Sequence, residues 1–394
     1  MVRKLKLAYG DAHVDATLDG GPEPWQQDGY EIGYAKAPYG SMPIAMELQR
    51  FSGAANDPPV RKFVRDRILQ PNIGASVDWS AFAPFVNPDS GGNIESIPVA
   101  GQPGLYLHGD GTSAALRDAI LNQGVNKDFE VDLSWLAVSH VDEVVSITPD
   151  GRLVVADPEL AWAMTLWANK LSPSATLTAN SVTATMSQLV APVNGFRSYN
   201  ITTVAPEMDA VRSVVQTQLG TTSPIRNIAA DPANVGSSTL DKAGGFVAFM
   251  DPRETTRDIQ IRFTSATDYE VRWRTPGGAW RLDPTRGNID RDCIFTDALV
   301  YLFPEHWNKG TTPAASGDIV RFEINRSATT ISMPVLFHAE RDPTTGAVLG
   351  AGALSVDHVN SLVTTLANGV RQVVTGRAYG PVVDRDGGGP VSAV

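Results

Sequence analysis

The chain has 394 residues, 42% of them hydrophobic, which is enough for one large domain or two ordinary ones around a sizeable core. Lys and Arg total 32 against 43 Asp and Glu, a net charge of −11, which argues against a general binder of nucleic-acid phosphates and suits either a cationic ligand or a merely well-solvated surface. The single cysteine, Cys293, excludes an intrachain disulfide framework and any multi-cysteine zinc site, and no stretch approaches 18 apolar residues, so no membrane partner is expected.

The opening "MVRKLKLAYGD" is basic but lacks the apolar run of a secretory leader, and a cytoplasmic location is the expectation. The first 170 or so residues alternate short strands and helices joined by Gly and Pro turns. "GTSAALRDAILNQG" predicts a helix capped by Thr112 or Ser113, with Leu116, Ile120 and Leu121 on one stripe and Gly124 at its end. "WLAVSHVDEVVSI", residues 135 to 147, predicts an apolar strand, and "RLVVA" at 152 to 156 a second. "DPELAWAMTLWANK" predicts a helix with Asp157 as N-cap and Pro158 at its first position. This rhythm argues for a mixed α/β architecture. Beyond 171 the composition shifts to Ser, Thr and Ala, with a further helix at "EMDAVRSVVQTQLG". "RDIQIRF" then alternates Ile259, Ile261 and Phe263 inward, and "YEVRWR" alternates Tyr269, Val271 and Trp273, with Pro276, Gly277 and Gly278 turning the chain. Residues 221–327 therefore read as an inserted β-rich subdomain, and the α/β style returns at "ISMPVLF".

The ionisable pair in the predicted strand is the first candidate for chemistry. Residues two apart on a strand face the same way, roughly 6.6 Å apart at about 3.3 Å per residue, so His140 and Asp142 would look at one object. A planar cation there could be gripped by the carboxylate and exchange a proton with the imidazole. A satisfied core histidine is the plain alternative, and the triplet "HVD" also occurs at His13, Val14 and Asp15 with no apolar strand around it.

Two other stretches belong with it: "PWQQDGYEIGYAKAP" at 24 to 38, and "DSGGNIES" at 89 to 96. In this order, and continued by "MPVLF" at 333, "VNSLV" at 359 and "AYGPVV" at 378, they resemble the catalytic domain of the protein-arginine deiminases, a branch of the guanidino-group-modifying pentein superfamily. The resemblance implies a five-fold pseudosymmetric α/β propeller built from residues 1–220 and 328–394, incomplete at its ends, with 221–327 inserted. It also implies roles. Asp28 and Asp142 match the guanidinium-binding aspartates, His140 the acid/base histidine, and Trp25 the aromatic wall beside the substrate's aliphatic stem. A guanidinium is planar, always charged and forked, so two carboxylates can hold its nitrogens while its central carbon stays open to one face. In the family a cysteine thiolate attacks that carbon, ammonia leaves with a proton from the histidine, and water releases citrulline.

Calcium is implied as well, through the amide oxygen of Gln27, the carboxylates of Glu31 and Glu95, and the main-chain carbonyls of Gly91 and Ile94, all hard oxygen ligands. Beside Asp28, such a site would couple metal binding to ordering of the aspartate. Gly29 stands where a further acidic calcium ligand would be expected, and Asp78 where the animal enzymes hold peptide backbone with an arginine, so the partner is an arginine-containing peptide or protein or free arginine. The family nucleophile lies in a "HCGTN"-like motif after the "GPVV" segment, and this sequence reaches Val394 without one. Cys293 has Asp290, Asp292 and Asp297 for neighbours, which would raise its pKa, and reads as a buried structural thiol. The leading expectation is thus a deiminase-like domain whose nucleophile is missing from this chain, with a second chain or homo-oligomer completing the ring. A non-catalytic arginine- or peptide-binding module comes second. A metal-dependent hydrolase comes third, since none of the six histidines forms a familiar ligand motif.

Overall fold

The computed structural model describes residues 30–48, 75–78, 89–99, 102–147, 152–179, 182–246, 256–325, 327–353, 361–365 and 371–375. Its elements are mixed α/β, with many strands and few helices. They divide into two compact units, Met1–Gly151 with Val359–Gly376, and Arg152–His358 with Arg377–Val394.

In the first unit, β1 (Tyr30–Ala37) and β2 (Gly40–Glu47) form an antiparallel hairpin, and β3 (Ala75–Asp78) runs parallel to β2, with Glu47 in register with Asp78. β4 (Ile94–Val99) and β5 (Gln102–Gly109) form a second hairpin. The crossover helix α1 (Ala114–Leu121) then returns the chain to β6 (Lys127–Val131), parallel to β5. Helix α1 exists for the reasons its sequence suggests: the Ser113 hydroxyl accepts from Leu116 N, and Leu116 and Ile120, one turn apart, are both buried. Ile44, Met46, Ile94, Tyr106, Leu116 and Ile120 share one core. A Cβ on Gly33 would sit 2.0 Å from the Tyr106 hydroxyl, which accepts a hydrogen bond from Tyr34 N, so β1 can cross this ring only with glycine there. A separate antiparallel hairpin pairs Ser361–Thr365 with Arg371–Thr375.

The stretch from 135 to 147 departs from expectation. Only β7 (Val145–Ile147) is strand, and the preceding residues form turns that lead into a single 3-10 turn, Val141–Glu143, with His140 at its N-cap. Ser139 enters it in the left-handed region, at φ 61°, with its hydroxyl donating to Leu136 O. Val141 and Val144 are fully buried, so the apolar residues are satisfied by a packed turn as well as they would be by a strand.

The second unit opens with β8 (Leu153–Asp157), buried along its whole length and parallel to β21 (Thr330–Pro334). It leads into α2 (Pro158–Leu171), where Asp157 caps Leu160 N at 2.8 Å, a contact of the kind worth about 1 kcal/mol. A hairpin of β9 (Thr176–Ala179) and β10 (Val182–Thr185), the short helix α3 (Met186–Val190), a π-helical segment (Tyr199–Val204) and helix α4 (Ala205–Leu219) follow. Then come β11 (Ile225–Ala230), the two-residue strands β12 (Thr239–Leu240) and β13 (Gly244–Gly245), β14 (Arg257–Phe263), β15 (Asp268–Arg274), β16 (Arg281–Asn288), β17 (Cys293–Phe295), β18 (Val300–Leu302), β19 (Trp307–Asn308) and β20 (Ile319–Ile324). Five of them form an antiparallel sheet in the order β11-β20-β14-β15-β16. Ile259, Ile261 and Phe263 on β14, with Tyr269 and Val271 on β15, point into its core as the alternation predicts, while Trp273 packs partly buried at the edge. β22 (Phe337–Arg341) and β23 (Val348–Ala353) close the unit as a hairpin.

Candidate functional site

Two Gly- and Asp-bearing turns meet in the first unit. The short 3-10 turn Gly91–Asn93 packs directly against the Val141–Glu143 turn, and β4 packs against both that turn and β1. The contact brings Gly91, Ile94 and Glu95 beside His140 and Asp142, and sets β1, which carries Glu31, against the same strand. Trp25, Gln27 and Asp28 lie outside the described residues, as does Gly29.

His140 and Asp142 are both buried, 8% and 7% exposed, although they share a turn and not a strand. Nε2 of His140 lies 2.7 Å from Ser90 Oγ, so the Gly-rich turn holds the imidazole in place. Burial pushes the His140 pKa down to about 4, which leaves the ring neutral at physiological pH and able to accept a proton. The backbone N–H of His140 reaches a carboxylate oxygen of Glu143 at 3.4 Å.

The "DSGGN" segment does more than its glycines suggest. Asp89 accepts from both the backbone N (2.7 Å) and the hydroxyl (2.6 Å) of Ser113, tying the turn to the cap of α1. Asn93, fully buried, accepts from Gly109 N through Oδ1 and donates to Thr112 Oγ1 through Nδ2. Ser90, Asp89 and Asn93 were not assigned these roles by sequence reasoning. The signal available was that each polar side chain in the segment is of a type that seeks a backbone or hydroxyl partner when buried.

The carboxyl of Glu95 is pushed up to about 7 by burial, against the lowering effect of a hydrogen bond from Ile147 N–H. A buried carboxyl this reluctant to ionise suits a cation that would compensate its charge. Glu31 is half-buried, and its charge contributes to raising the pKa of Tyr106, after burial as the main cause. Among the described residues no three Asp, Glu, His or Cys side chains converge as a metal cluster. The expected calcium set has only two carboxylates, its other donors being main-chain and amide oxygens, and the donor types present fit that ion. Cys293, in the second unit, is 7% exposed and unpaired as a thiol; burial pushes its pKa up, with the charge of Asp292 adding to the effect. No helix of the described residues is long and apolar enough to cross a membrane.

Part of the chain is similar to proteins of a known family. The family model "Protein-arginine deiminase" matches residues 11–191. Human protein-arginine deiminase type-4 is 28% identical over 162 residues, covering 36% of this chain and 24% of the relative. Mouse protein-arginine deiminase type-1 is 30% identical over 153 residues, and the human type-3 enzyme 33% over 153, each covering 34% of this chain and 22% of the relative. The chain thus spans about a quarter of the length of the curated relatives it matches. A likeness to FlgL of Xanthomonas campestris, at 19% identity and a TM-score of 0.17 over 25% of this chain and 27% of that one, assigns no fold. Over residues 11–191, the chain is similar to the protein-arginine deiminase family.

Proposed function

We propose that the first unit carries a deiminase-type site that grips the guanidinium of arginine in a peptide or protein. Asp142 and Asp28 would hold the guanidinium nitrogens, Trp25 would flank the aliphatic stem, and His140 would move the proton. The observation that carries this reading is the burial of His140 and Asp142 on one turn, braced by the 2.7 Å contact from Ser90 in the Gly-rich turn. A guanidinium entering beside a neutral imidazole and an aspartate finds both a counter-charge and a proton acceptor. Glu31, Glu95, Gln27 and the carbonyls of Gly91 and Ile94 would hold calcium, which would supply positive charge to the two carboxylates. The propeller, with residues 1–220 and 328–394 as its framework and 221–327 inserted, is part of the same proposal. It is supported by the β-α-β step through α1 and by a five-stranded sheet that pairs only strands from between 225 and 324.

A second reading, arginine binding without turnover, is favoured by the state of Cys293. It is the one thiol of the sequence, buried and held protonated, so it is a poor nucleophile. The two readings part in one experiment. An acetyl-arginine-amide or arginine-containing peptide is titrated calorimetrically with calcium, and citrulline and ammonia are assayed in the same samples. Binding is expected, and Asp142→Asn is expected to weaken it at least about tenfold, as loss of a charge-assisted contact worth about 1.5–3 kcal/mol requires. Citrulline released with equimolar ammonia supports hydrolysis, and binding without it supports the second reading. Undiminished binding in both Asp142→Asn and Asp28→Asn overturns the guanidinium grip.

A further inference from the structure

The second unit holds a cavity of about 320 Å³, within the range of small-ligand sites, that plays no part in the deiminase reading. Its described lining carries four carboxylates, Asp157, Glu159, Asp209 and Asp241, against two cations, Arg212 and Lys242. Asp157 and Glu159 are each only 5% exposed. The cations are already committed: Arg212 contacts Asp157 at 3.3 Å and Asp209 at 3.1 Å, and Lys242 bridges Glu159, at 2.9 Å, and Asp209. Although burial pushes the Glu159 carboxyl up, the hydrogen bond and charge of His306 and the charge of Lys242 hold it down to about 2, so it is ionised. With His306 counted beside Glu159, at 3.3 Å, the carboxylates still outnumber the cationic side chains by one.

An unused polar group faces the same space. Tyr301 lines the cavity with its ring 2% exposed, and its hydroxyl takes no hydrogen bond among the described residues. The ring lies across the backbone of Gly244, where a Cβ would stand 2.0 Å from it, so this pose depends on glycine at 244. Pro224, Ile225 and Ile228 add apolar side chains to the same lining.

We propose that this cavity binds a small aliphatic cation, an ammonium- or guanidinium-headed molecule with a short hydrocarbon stem. The surplus carboxylate would take the charged head, the Tyr301 hydroxyl would accept one of its N–H groups, and the stem would lie on Pro224, Ile225 and Ile228. Lys242, held between Glu159 and Asp209, shows how the site already seats a primary ammonium. An anion would meet the uncompensated carboxylate and is excluded on charge.

Calorimetric titration of the full chain tests this, using butane-1,4-diamine, agmatine, L-arginine and succinate as probes. The diamine carries no guanidinium, so its binding is read independently of the site around Asp142. The diamine and agmatine are expected to bind, each about tenfold more tightly than L-arginine, whose carboxylate meets the acidic lining. Asp241 is exposed, so Asp241→Asn leaves the fold intact, as circular dichroism would verify, and is expected to weaken the diamine several-fold. Tyr301→Phe is expected to do the same, and Asp142→Asn to leave it unchanged. No diamine binding, succinate binding of equal strength, or diamine binding unmoved in both Asp241→Asn and Tyr301→Phe overturns the proposal.

Discussion

His140 is where burial and chemistry conflict most directly. Its folded pKa of about 4 lies below the ordinary 6.5, so between these values the unfolded chain binds more protons than the folded one. The stability tied to its neutral form is therefore complete above pH 6.5 and is lost as pH falls through the folded value near 4. The gap corresponds to on the order of 3 kcal/mol at full protonation. His140→Gln is expected to shrink the drop in urea midpoint between pH 7 and pH 4, and an unchanged drop would place the acid sensitivity elsewhere. That His140 and Asp142 lie close together was legible in the sequence, from their spacing. Their partner Ser90, fifty positions away, was not, because nothing local marks which hydroxyl a buried imidazole will meet.

Among elements, those with local causes were the legible ones. Asp157 and Pro158 announce α2, and Ser113 with Leu116 and Ile120 announces α1, because a cap and a stripe are decided within a few residues. The 135–147 stretch misled for the converse reason. Its valines fit a strand by composition, but Ser139 at φ 61° and the reach of Glu143 to His140 N turn the chain, and the valines are buried by tertiary packing that no window of sequence contains. A β-branched residue at that left-handed position is strained, whereas glycine is not. Ser139→Val is therefore expected to cost about 1–2 kcal/mol more than Ser139→Gly in urea denaturation. Equal midpoints for the two would mean that the turn relaxes without its left-handed residue. Since this turn presents His140 and Asp142, the valine variant should also weaken arginine-peptide binding more than the glycine variant.

For the whole molecule, the separation of cores matters more than any one contact. Ile44, Met46, Ile94 and Tyr106 close one core in the first unit, and Ile259, Phe263, Tyr269 and Phe322 close another in the second. The alternation of β14 and β15 made the second core readable, while the first depends on a strand from residues 30–37 crossing β5 at Gly33, a long-range fit with no periodic signature. Differential scanning calorimetry is accordingly expected to resolve more than one transition. Calcium should raise only the one belonging to the first unit, and more at pH 8 than at pH 5. The sign follows from Glu95. Its folded pKa, raised to about 7, means that the metal-free unit loses stability as pH rises through that value, and the ionised carboxylate so produced is the form a cation binds. At pH 5 the proton competes with the metal and the shift should be small. A calcium shift of equal size at both pH values would mean that Glu95 is not a ligand, and a shift of the other transition would move the metal to the second unit.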